Sequence, residues 1–322
     1  MATPEAAFVQ CGDTLDYTPD ADRVTAEVIQ LADGRAGAMC HDVSSGVRGA
    51  VQTEGVFKVL KTASIVFLDG GEVYWDHSAN AAHFRKVNDR DFFIGTAVGD
   101  AASADTTLLV NFNVAPTWTL DAMREAVLSV PTGTAAAGGF GYPVRLGGAA
   151  QLELTATSEA QCVDILTVDR VAVGANPIVQ AIIRPVTNGS GAAVDFSIGL
   201  ANGTSTTDAD AVTEHVFFHI DGSDTKIYAQ SKDGTTTVSA TDTTTTITAG
   251  SAVANRKELW IDARDISSVK LYVDGVRVLS GTTFVLSAAT GPLGLLAHIE
   301  KTSGTTTGKF LIDALRARIA QM

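Results

Sequence analysis

The run Lys270-Leu271-Tyr272-Val273-Asp274-Gly275-Val276-Arg277-Val278 constrains the fold more than any other stretch. Asp-Gly between two alternating runs specifies a two-residue hairpin, because the primed turns need positive φ at their centre and Gly takes it without steric cost. That register sets Val273 opposite Val276 and Leu271 opposite Val278 on a buried side. Tyr272 then lies opposite Arg277 on the other face, where a guanidinium can stack on the ring. The same period of two recurs elsewhere: Val194, Phe196, Ile198 and Leu200 alternate with Asp195, Ser197 and Gly199, the pattern of a half-buried strand with one wet face. Residues 146–322 are therefore expected to form an antiparallel β-sandwich. The threonine-rich stretch 235–246 reads as a solvated two-stranded edge hairpin or a loose loop.

Residues 1–115 read as several short strands at roughly ten-residue spacing, the mark of a small barrel or sandwich rather than of βαβ units. Within them, residues 70–84 predict a hairpin: a strand through Val73-Tyr74-Trp75, a polar turn of Asp76, Ser78 and Asn80, and a return through Ala81 to Phe84. Tyr74 and Trp75 point to opposite faces of that strand, one toward the core and the other free for an interface. Between the two domains, residues 116–145 are expected to be a helix and a flexible linker. Thr119 can cap a helix over residues 119–128 with Leu120, Met123 and Val127 on one face and Pro131 just past its end. Such a stripe suits packing on the first domain or contact with other copies of the chain. The Gly- and Ala-rich residues 132–141 read as the joint.

The 322-residue chain carries a formal net charge of -13, with 8 basic against 16 acidic residues up to Pro116 and 15 against 20 after it. Neither half offers the Lys and Arg that displace counterions from nucleic acid, so neither DNA nor an anionic membrane is an expected partner. Cys11, Cys40 and Cys162 are odd in number and far apart, which suggests neither a disulfide framework nor a thiolate metal cage. No basic and apolar leader opens the sequence and no apolar run reaches membrane-spanning length, so neither export by a cleaved signal nor membrane insertion is expected.

Five segments in order, Gly12-Asp13, Glu54-Gly55-Val56-Phe57, Gly71-Glu72-Val73-Tyr74-Trp75-Asp76, Ile94-Gly95-Thr96-Ala97 and Thr107-Leu108-Leu109-Val110-Asn111-Phe112, resemble the tailed-phage capsid cement, or head decoration, protein family. The resemblance implies a β-rich body on the outer surface of a virion head, assembled in the host cytoplasm, with the major capsid protein as partner and a homotrimer at three-fold positions as the working unit. It implies reinforcement of the shell. The hairpin of residues 270–278, with Glu258-Leu259-Trp260-Ile261 before it and the closing run 310–319, resembles the concanavalin-like or laminin G-like jelly roll superfamily. That architecture carries lectins, glycan hydrolases and plain spacers, so it implies a fold and no activity. Under these resemblances Phe57, Tyr74, Trp75 and Met123 are the expected interface residues. The alternative is a glycan-binding adhesin module with Trp260 and Tyr272 as stacking rings.

Catalytic or metal chemistry finds little support along the chain. His77 and His83 flank a turn without a third ligand. His215 and His219 share a strand face but would lie ~13 Å apart by strand rise. Asp262 with Asp265, and Asp208 with Asp210, come nearest to the two closely spaced strand acids that jelly roll hydrolases usually show, but sit in turn-like contexts; the second could also form a calcium-type loop. A non-enzymatic protein without cofactor or resident metal is expected.

Overall fold

The computed structural model describes residues 13–133, 149–189, 194–222 and 224–319. The chain divides into one compact unit, Met1–Thr117, and another, Trp118–Met322.

Among its described residues the first unit holds nine strands: β1 (Thr14–Tyr17), β2 (Val28–Gln30), β3 (Ala36–Met39), β4 (Gly49–Gln52), β5 (Val56–Leu60), β6 (Glu72–Asp76), β7 (Ala81–His83), β8 (Phe92–Ala97) and β9 (Thr107–Phe112). They form a four-stranded sheet in the order β1-β4-β3-β2 and a five-stranded sheet in the order β5-β9-β8-β6-β7. The first sheet buries Ile29, Met39, Val43 and Val51. The second bends back on itself: Lys61, just after β5, bridges Ala82 of β7, and the Thr62 N–H donates to the Ala82 carbonyl at 3.0 Å. Lys61 is itself buried and donates from Nζ to the Ile65 carbonyl at 2.8 Å. Close approach explains Gly95, since a Cβ there would lie 2.1 Å from the Asn111 carbonyl oxygen.

The second unit begins with β10 (Leu120–Asp121), a one-turn helix α1 (Ala122–Glu125) and β11 (Ala126–Thr132). It continues with β12 (Ala150–Glu153), β13 (Gln161–Thr167), β14 (Pro177–Thr187), β15 (Val194–Ala201), β16 (Glu214–Asp221), β17 (Lys226–Asp233) and β18 (Thr237–Thr246). Strands β19 (Lys257–Asp262), β20 (Lys270–Val273), β21 (Val276–Val278), β22 (Gly294–Lys301) and β23 (Lys309–Ile319) complete it. One antiparallel sheet runs β10-β23-β14-β19-β20-β21, with β12 also paired to β23; the other runs β11-β13-β22-β15-β16-β17-β18. Together they make the expected sandwich. Phe196 of β15 and Phe310 of β23 stack across its centre, ring centroids 4.0 Å apart. Val194, Phe196, Ile198 and Leu200 all enter the core, as their alternation requires.

The hairpin of residues 270–278 has the anticipated register, Leu271 with Val278, Tyr272 with Arg277 and Val273 with Val276, and Asp274 and Gly275 take φ of 50° and 75°. The helix expected over residues 119–128 is the one turn α1, and its cap is not Thr119 but Asp121, whose carboxylate accepts the Met123 N–H at 3.0 Å. Leu120 pairs with Ala317, and residues 126–132 run alongside β13. Strand pairing wins there because it satisfies backbone groups on a sandwich edge and buries Leu120 in the core. Pro131 falls inside β11, which lies at a sheet edge and shifts register between Ser129 and Thr132, a tolerated place for proline. Most of the anticipated flexible joint, from residue 134 on, lies outside the described residues, as does Cys11; Cys40 and Cys162 are free thiols. Among the described residues no helix is long and apolar enough to cross a membrane.

Candidate docking face and polar rows

Strand β5 turns Val56, Lys58 and Leu60 outward, leaving Val56 55% and Leu60 59% exposed. Leu109 of β9, opposite Lys58, is also exposed. Solvated strand faces are ordinarily polar, so three apolar side chains on adjoining strands form a patch that water does not favour. Phe57 has the other parity; it is half-buried, with its ring 4.2 Å from that of Phe112. Beside the patch lies a groove of about 460 Å³ whose lining includes Val24, Val28, Lys58, Leu60, Trp75 and Asn80.

Hairpin β6–β7 pairs Tyr74 with His83, Trp75 with Ala82 and Asp76 with Ala81. Two carboxylates hold its turn. Asp76 Oδ1 accepts from the Ser78 and Ala79 N–H groups at 2.8 and 3.0 Å and from Ser78 Oγ at 2.6 Å. Burial pushes this carboxyl up, but those donors outweigh it and leave its pKa lowered. Asp91 receives the His77, Val87 and Asn88 N–H groups at 3.0, 2.8 and 2.8 Å. Trp75 is buried and Tyr74 half-buried, its ring edge-on to Phe93 at 5.7 Å. His77 is exposed, whereas His83 is half-buried, its pKa lowered by burial, and its Nδ1 meets the Arg85 backbone. Neither histidine belongs to a three-ligand group among the described residues.

In the second unit, the face of β13, β22, β15 and β16 turned away from the core carries two polar rows. One runs Asp164, His298, Ser197, His219 and the other Cys162, Glu300, Asp195, Asp221, each neighbour directly paired across the strands. This face was expected to be wet, yet Asp164, His298, Glu300, Ser197 and Cys162 are all buried. The connection between β15 and β16 lies against it, with Thr204 Oγ1 donating to Asp164 and the Ser205 carbonyl 3.6 Å from Cys162 Sγ. His298 is held from both sides, Nδ1 by Asp164 and Nε2 by Glu300 at 2.6 Å. Burial opposes its charge, but the two carboxylates prevail and its pKa is pushed up to about 12. Burial also pushes up Cys162, leaving a thiol rather than a thiolate nucleophile.

Comparison with known proteins bears on the first unit. Residues 9–112 match the phage cement protein family. The matched span, labelled the cement unit after that family, takes in strands β1 to β9, the apolar patch and the groove beside it. A search of curated proteins gives no match. Solved structures similar to the chain include the potassium-bound carbohydrate recognition domain of Emp46p, at 10% identity and a TM-score of 0.40 over 62% of this chain and 91% of that one. LamAcat from Zobellia galactanivorans follows at 13% and 0.39 over 62% and 97%, and the laminarinase catalytic domain from Thermotoga maritima at 13% and 0.39 over 54% and 79%.

Phe57, Tyr74 and Trp75 thus belong to the cement unit, with Trp75 on the groove and Tyr74 on the opposite strand face. Met123 does not; it is half-buried against the sandwich core. Trp260 and Tyr272 are 5% and 6% exposed and pack on each other at 6.4 Å, so neither ring offers a free face for stacking on a sugar. Trp260 Nε1 donates to Glu258 at 2.8 Å. His215 stacks on Phe217 and stays apart from the row that holds His219. Asp262 is held by a two-point ion pair with Arg264 and Asp265 caps a turn at Ser267, while Asp208 caps the turn that carries Asp210. The polar rows escaped the sequence reading because their members come from four separated strands. Their one signal was acids and histidines at the supposedly wet positions of otherwise apolar runs.

Proposed function

We propose that this protein decorates the outer surface of a tailed-phage head, binding the shell through its cement unit and carrying the second unit as an outward β-sandwich. The family match over residues 9–112 carries this reading. The exposed strip of Val56, Leu60 and Leu109 supports it, since apolar side chains on a strand face gain from burial against a partner. In this reading the strip meets the major capsid protein and the groove edged by Val24 and Trp75 receives one of its apolar side chains. An acidic cement unit suits a surface facing away from packaged DNA.

Three copies join at three-fold positions, and three linked footprints hold far more tightly than one. The added buried area bridges joints between capsid subunits that internal pressure would part. The role is mechanical rather than catalytic. Adding the protein back to stripped heads and imaging them tests the reading: density at the outer three-fold positions and a raised rupture temperature are expected. Heads that take up no protein would refute the docking, and decorated heads that rupture as readily as bare ones would refute the reinforcement.

A further inference from the structure

The register sets three carboxylates side by side on three strands: Asp195 of β15 faces Glu300 of β22 on one side and Asp221 of β16 on the other. Like charges directly opposite one another in an antiparallel sheet repel. Glu300 is matched by His298, but the carboxylate of half-buried Asp195 accepts no hydrogen bond from any described residue. His219 shares a strand face with Asp221, its Nε2 2.5 Å from Asp221 Oδ1 and its Nδ1 3.0 Å from Ser197 Oγ. One ligand atom each from Asp195, His219 and Asp221 all lie within 4.8 Å of one another.

We infer that Asp195, His219 and Asp221 bind a first-row divalent transition-metal ion, with Ser197 orienting the imidazole. Two carboxylate oxygens and one imidazole nitrogen suit ions such as Zn²⁺ and Mn²⁺, and ligand atoms about one such ion sit ~3–4 Å apart, within rotamer adjustment of the observed spacing. An ion there neutralises Asp195 and takes the place of the contact between His219 and Asp221. The Asp221 side chain is 44% exposed, so the site opens to solvent and water can fill the remaining coordination positions. Ser197 Oγ, on the far ring nitrogen, fixes which nitrogen faces the ion, as outer partners of metal-bound histidines do. Cys162, Asp164 and His298 also lie close together, but they are buried and His298 is already held at both nitrogens.

The inference stands apart from the capsid reading and is tested on the full chain, freed of metal by chelation and titrated calorimetrically with ZnCl₂, MnCl₂ and CaCl₂. One Zn²⁺ or Mn²⁺ per chain is expected, raising the unfolding temperature. Asp195→Asn and His219→Gln each weaken binding by about 10- to 100-fold, whereas Cys162→Ser leaves it unchanged. The site is overturned by no Zn²⁺ or Mn²⁺ binding tighter than about 1 mM, by equal affinity in Asp195→Asn, or by a response to Ca²⁺ alone. Asp195→Asn removes a repelled charge and keeps the side-chain shape, so it decides the matter even if His219→Gln fails to fold.

Discussion

Asn113 and Ala36 exchange two opposed hydrogen bonds: the Ala36 N–H donates to Asn113 Oδ1 at 2.8 Å, and Asn113 Nδ2 donates to the Ala36 carbonyl at 3.0 Å. The same Nδ2 reaches the Thr53 carbonyl at 2.7 Å. One amide thus ties the end of β9 to the four-stranded sheet. Its backbone has φ of 59°, which Asn tolerates better than most residues. Asn113→Ala should destabilise the cement unit by about 1–3 kcal/mol, because partly buried backbone groups lose their partner. Asn113→Gly should lose the same bonds but relieve the backbone, and so cost less than Ala. Chemical denaturation followed by Trp75 fluorescence checks the order; an Ala variant as stable as the wild type would deny the amide its linking role.

A second expectation concerns acid. Glu214 accepts from the Thr290 N–H at 2.9 Å, Thr290 Oγ1 at 3.1 Å and the Gly291 N–H at 3.0 Å. Burial opposes its charge, but these donors prevail and its pKa is lowered from 4.5. A lowered folded pKa gives stability that is present above the unfolded value and lost as pH falls below it. Glu214→Gln should therefore lose about 1–3 kcal/mol at neutral pH and show a shallower decline below pH 4.5 than the wild type. Urea melts across pH 3 to 7 measure both.

His298 predicts the opposite dependence. Its folded pKa is raised to about 12, so its contribution is complete below the unfolded value of 6.5 and declines as pH rises toward the folded one. Removing one partner from a buried charged set costs about 3–5 kcal/mol. His298→Asn should show that loss near pH 6, with the gap to wild type narrowing steadily on the alkaline side. A gap that is constant with pH would mean that packing, not charge, is what His298 supplies.

The exposed strip supplies a test of docking that folding does not confound. Leu60→Asp changes a side chain 59% exposed to solvent, so stability should move by no more than about 0.5 kcal/mol. Binding to stripped heads should fall at least about tenfold, because docking the strip would bury the new carboxylate without a partner. Co-sedimentation with heads reads the second quantity and thermal melting the first.

Much of this architecture was legible in local pattern. The Asp274-Gly275 turn determined its own register, and the alternation around Phe196 named the inward side of β15, because period and turn chemistry act over a few residues. Residues 119–128 misled for the complementary reason. Leu120 and Met123 fit a helical stripe, but the pairing of Leu120 with Ala317, nearly two hundred positions away in the sequence, decides their conformation. The polar rows lay out of reach on the same ground: strand order brings residues near 164, 195, 219 and 298 together, and nothing local announces strand order.

Strand β23 sits between β14 on one side and both β10 and β12 on the other. The segments that open the second unit therefore wait for residues 309–319 before their edges are closed. During translation the cement unit, whose described strands are all paired by residue 113, can fold while the sandwich is still an unfinished sheet with open edges. A ribosome stalled anywhere before β23 would carry a paired first unit joined to a nascent chain with open strand edges. The order of synthesis thus leaves edges open for longer in the sandwich than in the cement unit.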